Sequence, residues 1–91
     1  MKPKVMVIWG WPLESCLSID SADNNELPDK YAKIVAQRIR AYCKHRFSHF
    51  RGGLSKHIDG NWMICLDDLS RPEKDRVWNF IKRQGWENGE A

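Results

Sequence analysis

Two stretches of this chain repeat their apolar residues at helical spacing, and each carries a single apolar stripe. In 28–47, Tyr31, Val35, Ile39, Tyr42 and Cys43 recur every three or four positions, which gathers them on one side of a helix. Near the end, Val77, Phe80 and Ile81 do the same, with Trp78 on the flank. A helix with one apolar face must bury it against another layer. Dividing 91 residues would leave neither part an adequate core, so a single domain spanning 1–91 has to supply that layer itself.

The remaining segments read as strands. "KVMVIWG" alternates and is rich in β-branched and apolar residues, with Val5, Val7 and Trp9 on one face. The Trp11-Pro12 step ends it, because proline cannot donate to a strand ladder. "ESCLSID" alternates again, with Leu17 and Ile19 inward, and the two runs are expected to pair as a hairpin. Asp23 or Asn24 is placed to cap the first helix, and Pro28 suits its first turn. "LSKHI" and "NWMICL" follow that helix as a weaker and a stronger strand joined by Asp59-Gly60-Asn61. Ser70 and Glu73 have the spacing of a capping box for the second helix. Gly85 stops that helix, and 87–91 are expected to fray.

The predicted fold is α+β, a two-layer sandwich of order β-β-α-β-β-α. Two helices pack on one face of a small four-stranded sheet, and 1–13 form an extra N-terminal strand. The other face of the sheet should be more polar, with tryptophan exceptions.

Charge is unevenly distributed along the chain. Residues 14–29 hold Glu14, Asp20, Asp23, Glu26 and Asp29 and no lysine or arginine, whereas 30–57 hold Lys30, Lys33, Arg38, Arg40, Lys44, Arg46, Arg51 and Lys56 and no acid. This segregation is more informative than the net charge of +3. At about 100° per residue, Lys30, Lys33, Gln37, Arg40 and Lys44 fall within about a quarter of the helix circumference. The basic segment becomes a stripe, helped by Arg51 and Lys56, that suits phosphates or an acidic protein.

No pattern for chemistry stands out. Cys16, Cys43 and Cys65 are odd in number and widely spaced, which predicts reduced thiols rather than a disulfide framework. Cys43 and Cys65 fall on predicted core faces. There is no C-x-x-C pair for zinc. "RGGLS" lacks the lysine and the strand–helix setting of a phosphate loop. Asp67 and Asp68, ahead of a helix, suit its dipole better than a metal. Neither a catalytic residue, a metal nor a cofactor is predicted. No stretch approaches the roughly 18 apolar residues of a membrane span, and "VMVIWGWP" is too short for a signal-peptide core, so a cytoplasmic protein is expected. Five tryptophans, Trp9, Trp11, Trp62, Trp78 and Trp86, exceed what a core this small needs, leaving some indole surface for a partner.

Two segments, "LPDKYAKIVAQRIRAYCKHRF" and "LSRPEKDRVWNFIKRQGWE", separated by a two-strand stretch, resemble the DinI-like (DNA-damage-inducible protein I) family. The resemblance lies in a Leu-Pro lead into a first helix ending in an aromatic residue, two short strands, and a second helix starting Ser70, Arg71, Pro72, Glu73, Lys74, Asp75, Arg76, Val77. It covers about two-thirds of the chain. It implies a small non-enzymatic protein that binds the RecA recombinase filament, modulates the DNA-damage response, and occurs also on phages and plasmids. The family's contact is attributed to an acidic C-terminal helix, whereas this one carries Lys82 and Arg83. Under this reading the protein-facing surface is Trp78, Lys82, Arg83 and Trp86. Two alternatives stand beside it. One is a DNA- or RNA-binding protein contacting phosphates through Lys30, Lys33, Arg40, Lys44, Arg51 and Lys56. The other is a phage or mobile-element protein that blocks a host defence or regulatory factor through an acidic surface on that factor.

Overall fold

The computed structural model of the protein describes residues 4–11, 13–22 and 27–90. Five strands and two helices follow one another as β1 (Val5–Trp9), β2 (Cys16–Ser21), α1 (Asp29–Arg46), β3 (Leu54–Lys56), β4 (Trp62–Cys65), α2 (Arg71–Arg83) and β5 (Glu87–Glu90). The sheet order is β3-β4-β2-β1-β5. The first two strands form the expected antiparallel hairpin, Val7 opposite Ile19. Strand β2 then pairs antiparallel with β4, and β4 with β3. Two connections cross the sheet, β2–α1–β3 and β4–α2–β5. Their parent strands run in opposite directions and the connections travel toward opposite edges. Right-handed crossovers of that kind put both helices on the same face.

The core lies between that helical layer and the sheet. Val5, Val7, Leu17, Ile19, Ile64 and Leu66 meet Ala32, Val35, Ala36, Ile39 and Cys43 of α1 and Val77 and Ile81 of α2, all buried. The stripe anticipated on α1 is present, with Ala32 and Ala36 widening it and Tyr31 and Tyr42 half-buried on its flank. Small alanines let the helix settle close to the sheet.

Local signals act largely as the sequence predicts. Ser70 accepts from the Glu73 N–H while the Glu73 carboxylate accepts from the Ser70 N–H at 2.8 Å, completing the capping box. Gly60 turns the β3–β4 connection with φ of +92°, held by the Gly60 N–H donating to the His57 carbonyl and the Asn61 N–H donating to Asp59 Oδ1. Pro28 occupies the N-cap position of α1 rather than its first turn, and its carbonyl accepts from Tyr31 and Ala32. Asp23 and Asn24, expected as caps, lie outside the described residues, as does Pro12.

Two expectations need correction. The sheet has five strands, because Glu87–Glu90 pairs in parallel with β1, Met6 opposite Glu87 and Ile8 opposite Gly89, instead of fraying. Gly85, at φ of +80°, reverses the chain after α2, and Trp86 packs against the core to bring the polar segment alongside β1. Gly89 is suited to its place: a Cβ there would lie 3.2 Å from Met6 Sδ. Cys65 does not face the helices. Residues alternate along a strand, so with Ile64 and Leu66 in the core, Cys65 lies on the opposite face beside Cys16.

Candidate functional site

One flank of α1 lies along the β3–β4 edge, and the basic stripe is on that flank. Its organising group is Trp62, the first residue of β4, directly opposite Lys56 of β3. The Lys33 and Lys56 ammonium groups stand 5.4 and 5.3 Å from the Trp62 ring centroid, within the range of cation–π attraction. The indole N–H donates to Asp29 Oδ1 at 3.0 Å, and Lys56 pairs with the same carboxylate. The Lys56 contact, the Trp62 bond and the nearby Lys33 charge together hold the Asp29 carboxyl below its ordinary range. A single acid at the start of the helix thus ties the strand edge to α1.

Farther along the seam, Arg40 Nε donates to the Gly52 carbonyl at 3.3 Å. Gly52 is needed there by close approach, since a Cβ would stand 2.5 Å from both the Cys65 carbonyl and the Phe50 ring. The Arg51 N–H donates to Asp68 Oδ2 at 2.8 Å, which fixes the backbone and leaves its side chain exposed. Lys30 and Lys44 are exposed at the two ends of the stripe. Lys33, Arg40 and Lys56 thus meet along one seam, Lys30 and Lys44 continue the same row of α1 at helical spacing, and Arg51 is exposed next to Gly52. The carboxylate ion pairs among the described residues are His49–Glu73, Lys56–Asp29, His57–Asp59 and Arg71–Asp75, so within the stripe Lys56 alone is in such a pair.

The second predicted set does not gather in one place. Trp78 lies edge-on to Trp9 at 5.0 Å, and the Lys82 ammonium stands 5.9 Å from the Trp78 ring. Trp86 meets Phe80 edge-on at 6.3 Å. On a helix, Trp78 and Phe80 point about 160° apart at roughly 100° per residue. Trp78 and Lys82 therefore share one flank of α2 and Trp86 is on the other, with Arg83 exposed between them. Both tryptophans are half-buried. The most exposed indole is Trp11, at 43%, whose N–H donates to Asp59 Oδ2 at 3.2 Å.

Sequence reasoning missed the role of Asp29 and the specific placement of Trp62. Only the strand register places Trp62 beside Lys56, and only the packing of α1 brings Asp29 and Lys33 to it. Among the described residues, no three histidine, cysteine or acidic side chains stand close enough to hold a metal ion, and no helix is long and apolar enough to cross a membrane. Comparison with family models, with curated proteins and with solved structures finds no match.

Proposed function

We propose that this is a non-enzymatic binding protein that docks the α1–β3 seam on the phosphate backbone of nucleic acid. The observation that carries this reading is the row of Lys30, Lys33, Arg40 and Lys44 on α1, with Arg51 exposed next to Gly52, without a carboxylate ion pair among the described residues. From Lys30 to Lys44 the helix rises about 21 Å at roughly 1.5 Å per residue. A row of that length reaches several consecutive phosphates of a nucleic-acid strand. Contacts to phosphate fix position without reading sequence, so binding is indifferent to sequence and falls as salt rises.

Titration of labelled single- and double-stranded DNA at low and moderate salt tests the proposal. Binding that weakens steeply with salt supports it; failure to bind either form at low salt overturns it. A host factor with an acidic surface would use the same seam, and would bind where DNA does not.

The RecA-filament reading implied by the DinI-like resemblance puts the contact on α2. It draws on the Trp78–Lys82 flank. The acids of α2 are spent internally, Glu73 on Ser70 and His49 and Asp75 on Arg71, so this helix offers no continuous acidic face. Co-sedimentation with RecA on single-stranded DNA tests that reading, and protein left in the supernatant counts against it.

A further inference from the structure

The face of the sheet turned away from the helices carries two cysteines on adjacent strands. Cys16 of β2 lies directly opposite Cys65 of β4. One pair along, the Leu66 N–H donates to the Ser15 carbonyl at 2.8 Å. Hydrogen-bonded and non-hydrogen-bonded pairs alternate along an antiparallel ladder, so Cys16 and Cys65 occupy a non-hydrogen-bonded pair. There the Cα atoms approach to about 4.5 Å, inside the window of roughly 4.4–6.8 Å that a disulfide spans. The Sγ atoms are 2.6 Å apart, one thiol donating to the other. Cys43, the third cysteine, is buried in the core on the other side of the sheet and does not compete.

We propose that Cys16 and Cys65 form a reversible cross-strand disulfide site, oxidised by exchange with low-molecular-weight disulfides of the glutathione type. Cys16 is 1% exposed and Cys65 only partly covered, so Cys65 meets the oxidant first. Its thiolate attacks one sulfur of the small disulfide, forms a mixed disulfide and expels one small thiolate, which takes up a proton. The Cys16 thiolate then attacks Cys65 Sγ, forms the protein disulfide and expels the second small thiolate, protonated in turn. Two protein thiols become one disulfide, and one small disulfide becomes two small thiols. Burial, the adjoining Cys16 thiol and the Asp67 charge push the Cys65 thiol up to about 12, so the exchange is slow at neutral pH and accelerates as pH rises. The bridge ties β2 to β4 across the intervening α1 and β3, which raises resistance to unfolding.

The folded protein is incubated with oxidised glutathione at mildly alkaline pH, quenched with acid, alkylated in denaturant and analysed by mass and peptide mapping. Two protected thiols, one alkyl group on Cys43, a Cys16–Cys65 cross-link and a higher urea midpoint are expected, all reversed by a dithiol reductant. Cys16→Ser should retain glutathione on Cys65, and Cys43→Ser should still form the intramolecular bridge. Three alkylated thiols, a wild-type protein that stops at the glutathione adduct, or a link through Cys43 or between molecules would each overturn the proposal. The wild-type peptide map decides the matter even if a variant fails to fold.

Discussion

Helix α1 meets its neighbours along two seams closed by different chemistry. Toward α2, Tyr42 stacks on Phe80 with centroids 4.2 Å apart, and Phe80 meets Trp86 edge-on. Arg46 lies 5.7 Å from the Tyr42 ring at the outer margin. Toward β3, one indole is flanked by two lysines and anchored by Asp29, and the remaining cations point outward. The aromatic seam is satisfied internally. The cationic seam concentrates like charges that repel one another, an arrangement that costs stability and is relieved by a polyanion. Under the proposed function, one flank of α1 serves stability and the other binding.

The largest effect expected is on binding. Reversing Lys33, Arg40 and Lys44 to glutamate should weaken DNA affinity by at least about 100-fold at low salt, with a smaller loss of thermal stability from the Lys33–Trp62 contact and the Arg40–Gly52 bond. Equal losses of fold and binding would erase the distinction between the seams. Tyr42→Ala should do the reverse, costing about 2 kcal/mol in urea unfolding through the lost stack and the cavity, with DNA affinity unaltered below the transition.

Asp29→Asn sharpens the picture in the opposite direction. The amide oxygen still accepts from Trp62, but Lys56 and Lys33 lose a competing charge, so DNA affinity should rise about threefold at low salt, as read by the same titration. Ser70→Ala removes one half of the cap of α2 and should cost about 1 kcal/mol at neutral pH. The Ser70 bonds and the His49 contact hold Glu73 below its ordinary range. A lowered folded-state value gives a contribution that is complete above the unfolded value, about 4.3, and lost as pH falls through the folded one. The difference between wild type and Glu73→Ala should therefore shrink on acidification across that interval, in urea titrations at successive pH values. The smallest effect belongs to the face of the sheet turned away from the helices. Ser18 is fully buried with a hydroxyl that has no hydrogen-bond partner, so Ser18→Ala should leave the urea midpoint unchanged or slightly higher.

Periodicity made both helices, the β1–β2 hairpin and the α2 cap legible, because each depends on neighbours close in sequence. Strand β5 was not legible. "ENGE" has neither alternation nor apolar residues, and it is a strand only because Gly85 turns it toward β1 and Trp86 holds it there. The face of Cys65 was misread for a related reason: "NWMICL" is nearly continuous in apolar residues, so its alternation could not say which set turns inward. The basic stripe could be read from residue spacing along α1. Its partner Trp62, its anchor Asp29 and the dispersal of Trp78 and Trp86 depend on tertiary packing, which spacing along one segment does not encode.

The most direct test of the central claim is the slope of log affinity against log salt for single-stranded DNA, measured for the wild-type protein and for a Lys33→Ala, Arg40→Ala, Lys44→Ala variant. Each lost phosphate contact removes about 0.7 from the magnitude of that slope. The account predicts a decrease of about 2 on losing these contacts. An unchanged slope would contradict it.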